Sequence, residues 1–287
     1  MALAAPILVE ARRFPVGLLL VAAPMLLLVV FVLVPAASAI VSTLTDPRSG
    51  GPSLANYRTL LGDPLSRGNL FFTLGSTLAV CGLLLAVCLP VALYLRFSSG
   101  RLPAFVQSVA VFPLFVPGII VAYALIRFLG PNGSLQTVLD AIGIHGFRSP
   151  YLTPAGTVIG LVWEGIPLTL LILLSGLAQI PNAAIEAARD VGAGRLAILT
   201  GIILPLIANS VTVAFSLAFL GAFGAFTIPY LMGPASPEMM GVFMQRTFSE
   251  LRDPAQAQTQ AVMSFLFCAA VGVIYVRSVI RSRRRGS

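Results

Sequence analysis

Leu70-Phe-Phe-Thr-Leu-Gly-Ser-Thr-Leu-Ala-Val-Cys-Gly-Leu-Leu-Leu-Ala-Val-Cys-Leu-Pro-Val-Ala-Leu-Tyr-Leu95 is one continuous apolar run. A bilayer core about 30 Å thick is crossed by roughly 20 apolar residues wound as a helix, so this run is long enough to span it. Five further segments read the same way, over about 16–40, 104–129, 152–177, 202–223 and 261–280. Stretches rich in Pro, Gly, Asn and Asp separate several of them, at 46–53, 98–100, 130–133 and 231–237; these residue types make turns. A transmembrane β-barrel would instead alternate apolar and polar side chains over segments of about ten residues. The expected fold is an all-α membrane protein with six transmembrane helices.

Composition agrees. Of 287 residues, 57% are hydrophobic and 10% charged, with mean hydropathy +0.96. A soluble domain carries about 25% charged residues, so a soluble enzyme is excluded. All 18 basic residues are arginine. Without lysine there is neither a standard phosphate-binding P-loop nor Schiff-base catalysis. The single histidine, His145, excludes a two-histidine zinc motif. Cys81, Cys88 and Cys268 lie inside apolar runs and read as small hydrophobes rather than a disulfide frame or metal site. The first span has Arg12 and Arg13 before it and Ala36-Ala37-Ser38-Ala39 near its end, which imitates a signal peptide. A signal's apolar core is only about 7–15 residues, so the span is read as retained.

Arginine sets the orientation. With both termini in the cytoplasm, eleven arginines lie inside (12, 13, 96, 101, 189, 195, 277, 281, 283, 284, 285) and seven outside. Three acids lie inside and six outside, giving net charges of +8 and +1. The tail at 281–287 reads as a basic flank on lipid headgroups, not as a nucleic-acid site.

The inner loop between spans four and five differs from the others. It reads Ile180-Pro-Asn-Ala-Ala-Ile-Glu186-Ala-Ala-Arg-Asp190-Val-Gly192-Ala-Gly-Arg195, continuing to Leu204-Pro205. Pro181 suits a first helical turn, the alanines favour helix and Gly192 ends it. Ile180, Ala184, Ala187, Ala188 and Val191 fall on one stripe. Two or three turns are marginal alone in water, so the piece needs a partner surface. Its charged Glu186, Arg189, Asp190 and Arg195 suit a groove on a polar soluble protein; a helix lying on the headgroups is the alternative.

Glu186-Ala187-Ala188, then Gly192, then Leu204-Pro205 resembles the EAA motif of binding-protein-dependent ABC importer permeases, the type I or MetI-like group. One departure is Asn209, where the family often has proline. The resemblance implies a permease domain over 70–280 with a coupling loop at 180–202. It leaves 1–69 as a tail, an extra first helix and an outer loop, and 281–287 as a basic cytoplasmic tail. It also implies that Glu186, Ala187, Ala188, Asp190, Gly192, Leu204 and Pro205 dock in or support an ATPase groove. The implied partners are a second permease, two ATPase subunits and a periplasmic solute-binding protein, in a bacterial inner membrane. ATP and magnesium would sit on the ATPases, and this chain would bind no cofactor or metal. Cys88-Leu-Pro90-Val-Ala-Leu-Tyr94, Gly130-Pro-Asn-Gly133 and Ile228-Pro229-Tyr-Leu-Met-Gly233 resemble the spermidine/putrescine group most. Permeases for iron(III), aminoethylphosphonate, thiamine and opine-like solutes share much of this.

Glu164 sits inside the fourth span, where a carboxylate costs about 2.5–3.5 kcal/mol on insertion scales. Gly160, Gly165 and Pro167 predict an opened helix there, and Trp163 offers a π face to a cation. Glu164, Trp163 and Tyr123 are the candidate translocation-path residues; a hydrogen-bonded structural glutamate is the alternative. Arg127 reads as snorkelling to the surface, Asn132 and Asn209 as turn or cap residues, and His145 as exposed. Gly221, Gly224 and Pro229 break the outer end of span five, in the manner of irregular backbone lining a cavity. A self-contained secondary transporter is the rival class. It usually shows repeated halves and needs its own ion site, whereas this chain has no visible repeat and one mid-span acid.

Overall fold

A computed structural model describes residues 14–46 and 50–285. Glu10, Arg12, Arg13 and Arg48 of the charge map lie outside the described residues, as do the side chains of the basic tail. The chain divides into two compact units, 1–59 and 60–287.

In the first unit, α1 (Phe14–Leu28) passes through one wide π-helical turn (Val29–Leu33) into α2 (Val34–Thr43). The wide turn ends just before Pro35, whose ring would otherwise meet the carbonyl four residues back. The apolar span Leu20–Thr43 is hydrophobic on every side, with Phe31 72% exposed, as lipid contact requires. After it the chain folds back. Thr43 shares a 2.8 Å hydrogen bond with the Tyr57 hydroxyl, and Asn56 donates to its carbonyl at 3.0 Å.

The unit boundary falls within α3 (Ala55–Gly62), and the second unit goes on with α4 (Pro64–Phe97), a helix of 34 residues. Asp63 caps α4. Its carboxylate accepts from the Ser66 N–H at 2.8 Å and the Ser66 hydroxyl at 2.6 Å, with Pro64 at the first helical position. Then come α5 (Arg101–Val111), a 3-10 turn (Phe112–Phe115), α6 (Gly118–Leu129), α7 (Ser134–Ala141), α8 (Pro154–Ala178), α9 (Asn182–Asp190) and α10 (Arg195–Ile198). A second π-helical turn (Leu199–Ile203) leads into α11 (Leu204–Phe223), followed by α12 (Thr227–Met232), α13 (Met240–Ser249) and α14 (Pro254–Arg285).

Among the described residues six helices are long and apolar enough to cross a membrane: Leu20–Thr43, Pro64–Phe97, Gly118–Ala141, Pro154–Ala178, Arg195–Phe223 and Pro254–Arg277. The expected single helix over 104–129 is two pieces. Val116 is extended before Pro117, because the pyrrolidine ring disfavours helical backbone in the residue preceding it. The break lies at the depth of Glu164, since a β-carbon at Gly118 would sit 3.1 Å from Glu164 Oε1. Leu129, at the far end of α6, lies at the outer start of α8, where Ser149 donates to its carbonyl at 2.7 Å. The run read as one helix is therefore α5 and α6 in sequence, and the membrane-length apolar segment begins at Gly118.

The core of the unit lies where α4, α8 and α11 meet, around Leu84, Cys88, Leu170, Leu173, Leu177 and Ile207. Lipid is as apolar as leucine, so close packing rather than water exclusion holds such helices together. A β-carbon at Gly165 would lie 2.6 Å from Leu84 Cδ1, and one at Gly176 would lie 2.6 Å from Ser210 Cβ. At Gly176 the contact is with a β-carbon fixed to its backbone, so glycine is required there; at Gly165 a larger residue would push the Leu84 side chain aside. A ladder of Phe215, Phe219, Phe223 and Phe267, with centroids 5.6–6.3 Å apart, joins α11 to α14.

Candidate functional site

The inner loop folds as the short helix α9, as its alanines and flanking Pro181 require. Its C-terminus is a Schellman closure. Gly192 at φ +84 donates to the Arg189 carbonyl at 2.9 Å, and Ala193 donates to the Ala188 carbonyl at 2.9 Å. The stripe expected from the sequence shifts. Ile185 is buried and anchors α9 to the core, with Ala184 and Ala188 half-buried beside it, while Val191 is 84% exposed. The reason is helix length. Val191 lies past the helical residues, so the 3.6-residue period does not carry through it, whereas Ile180, before the helix, is buried as expected. Glu186, Ala187, Arg189 and Asp190 form the outward face, and Leu196 of α10 is 73% exposed nearby. Leu204 is half-buried against the core and Pro205 is exposed, just past the wide turn that accommodates the proline.

Arg96, the last basic residue of α4, holds α9 in place. It donates to the carbonyls of Leu177 (3.1 Å) and Ile180 (3.2 Å) and to Asn182 Oδ1 (2.7 Å). A planar guanidinium suits several acceptors at once, and a cation is favoured at the carboxyl end of α8. Because Arg96 meets the ends of α8, both helices finish on the same side of the bundle. Among the described residues, Arg96 makes the polar side-chain link between α9 and another helix. The sequence marked it only as an inner-side charge; nothing in its neighbours signals three acceptors located 81 to 86 positions away.

The second feature lies at mid-depth. Glu164 is exposed on a cavity of about 310 Å³ between α4, α8, α11 and the break at 224–226, with Thr169, Leu217, Gly221, Phe226 and Thr227 on its walls. Its carboxylate lies against Gly118, the first residue of α6, at the amino end of that half-helix, where a negative charge is favoured. The Phe226 and Tyr230 rings stack 5.2 Å apart at the same break. Trp163 is half-buried in the core and does not reach the cavity wall, because consecutive helical residues point about 100° apart. Tyr123 is 57% exposed on α6, off the cavity. Asn132 adopts φ +57 in the turn at 130–133 and His145 pairs with Asp140 at 3.3 Å on the surface. Phe226 and Gly118 were not legible as site residues, since only the break between α5 and α6 and the bend after α11 bring them to Glu164. Among the described residues no cluster of His, Cys, Asp and Glu could hold a metal ion.

Comparisons with known proteins converge on one family. The sequence model of the binding-protein-dependent transport system inner membrane component matches residues 78–285. The spermidine/putrescine transport system permease protein PotB of Escherichia coli (strain K12) is 31% identical over 220 residues, covering 75% of this chain and 78% of that one. The sulfoquinovosyl glycerol transport system permease protein SmoG of Agrobacterium fabrum is 30% identical over 178 residues, covering 60% and 56%. In fold, the chain is similar to a bacterial ABC transporter involved in the import of the acidic polysaccharide alginate. The TM-score is 0.73 at 19% identity, covering 95% of this chain and 96% of that one. The MetNI methionine ABC transporter aligns with TM-score 0.59 at 17% identity, over 76% and 95%. The chain therefore belongs to the binding-protein-dependent transport system inner membrane components, as a six-helix permease of the ABC importer type in the bacterial inner membrane.

Proposed function

We propose that this permease forms half of a pore that imports a polyamine-like organic cation, delivered by a periplasmic binding protein and driven by two separate ATPase subunits. A second permease supplies the other half. The observation that carries the docking part is α9: a short charged helix presented outward, seated by Ile185 and Arg96 at the carboxyl ends of α4 and α8. A groove on an ATPase receives Glu186, Ala187 and Asp190, Ala188 backs them against the core, Gly192 ends the plug, and Leu204-Pro205 begins the span behind it. ATP and magnesium remain on the ATPases. ATP-driven closure of those subunits biases a two-state bundle between inward and outward access.

The cationic solute class is supported by Glu164 on the cavity wall with the Phe226 ring beside it, since a carboxylate and an aromatic face both attract ammonium groups. The likeness to PotB points the same way. The test of docking is Glu186→Lys: the chain inserts normally, and ATP-dependent uptake of spermidine in membrane vesicles is abolished. Unchanged uptake would remove α9 as the docking element. Ligand screening of the associated periplasmic binding protein decides the solute.

A further inference from the structure

Helix α4 is bonded at each end to a different functional segment. At its outer end Asn69 and Thr73, one turn apart and wholly buried, accept hydrogen bonds from the backbone of another part of the chain. Asn69 Oδ1 takes the N–H of Glu238 at 3.0 Å, and Thr73 Oγ1 takes that of Met240 at 2.8 Å. These bonds hold the non-helical stretch 233–239 against α4 and fix where α13 begins. Arg246 of α13 closes on the Glu238 carboxylate in an ion pair. At its inner end Arg96 binds the last carbonyls of α8 and Asn182 of α9. Between these grips lies unbroken helix, roughly 40 Å at about 1.5 Å per residue.

The two helices that reach α9 do so differently. The chain itself joins α8 to α9 through residues 179–181. Helix α4 has no such covalent connection; it packs along α8 in the core, and its direct polar link to α9 is Arg96. We propose that α4 is a transmembrane strut: Arg96 couples it to α9, Asn69 and Thr73 couple it to 233–240, and displacement of α9 thereby moves the outer segment. Arg96, Asn69 and Thr73 are positioning residues, acting through the segments they hold. The inference rests on the reading of α9 as the ATPase docking element.

The test uses the assembled transporter, purified through this chain, with a spin label at Ala235→Cys on the exposed outer segment. ATP with vanadate shifts the label's spectrum in the parent. Arg96→Lys keeps the inner charge, so the chain inserts, but its donors sit on one nitrogen and cannot reach acceptors that the guanidinium holds from two separate nitrogens. It loses most of the shift. Asn69→Ala and the milder, nearly isosteric Thr73→Val lose it as well. Arg96→Lys combined with Thr73→Val is no worse than either alone, because two breaks in one series connection do not add. A full shift in Arg96→Lys, or additive losses in the double variant, overturns the strut. No shift in the parent overturns it too, since the outer segment then does not move. An Ala187→Cys crosslink to the ATPase is scored separately in every variant. Its presence with an undiminished shift sinks the strut alone, and its absence from the parent sinks the docking reading and with it the strut.

Discussion

Glu164 shows how one residue's position can be legible while its surroundings are not. Its charge inside an apolar run marked it; the half-helix that faces it required folding the chain. In Glu164→Gln the positive end of α6 loses its counter-charge while the side-chain volume stays, so assembly is kept. If Glu164 meets the ammonium of the solute, the loss is about 2 kcal/mol, roughly thirtyfold in the concentration for half-maximal uptake. Normal spermidine uptake by that variant removes Glu164 from the path. Glu238, by contrast, is buried. Burial pushes its carboxyl above the usual range, the Arg246 guanidinium pulls it back, and Glu250 adds to the rise. The folded chain thus holds that proton to higher pH than the unfolded chain. The associated stability is complete below the ordinary glutamate value and is lost as pH rises through the raised one. Thermal unfolding in detergent should show this decline in the parent, and Glu238→Gln should flatten it.

At the scale of elements, α9 is set by its ends. Gly192 has open space where a β-carbon would sit but a backbone at φ +84, so what a side chain meets there is conformational strain, about 1–2 kcal/mol. Asn tolerates that region better than other residues. Gly192→Asn should therefore retain most ATP-dependent uptake, while Gly192→Val should lose most of it with membrane insertion intact. Equal activity of the two would mean that the closure of α9 is unimportant. The break between α5 and α6 is also an end effect. Pro117 and the extended Val116 that it imposes turn one apolar run into two helices and place a half-helix terminus beside an acid. Hydropathy reads such a run as continuous, because proline barely alters its apolar sum.

For the whole molecule, the proposed function places the motor on separate ATPase subunits. Reconstituted alone in vesicles under an imposed proton or sodium gradient, the chain should move no labelled spermidine; reconstituted with its permease and ATPase partners, it should do so when ATP is supplied. Gradient-driven uptake by the chain alone would instead support a secondary transporter.

The number of crossings was determined by the sequence itself, and the short helix at 182–190 was legible in its alanines and Gly192. In lipid every backbone polar group must be satisfied within its own helix, so apolar length alone dictates a span. Only the tertiary structure decided that Ile185 rather than Val191 seats α9, that Arg96 ties α4 to α8 and α9, and that Gly118 and Phe226 meet Glu164. Those contacts join positions far apart along the chain, 86 residues for Arg96 and Asn182. In a bundle without a hydrophobic driving force between helices, close packing at glycines and individual polar bonds select the partners, and neither leaves a periodic trace along the chain.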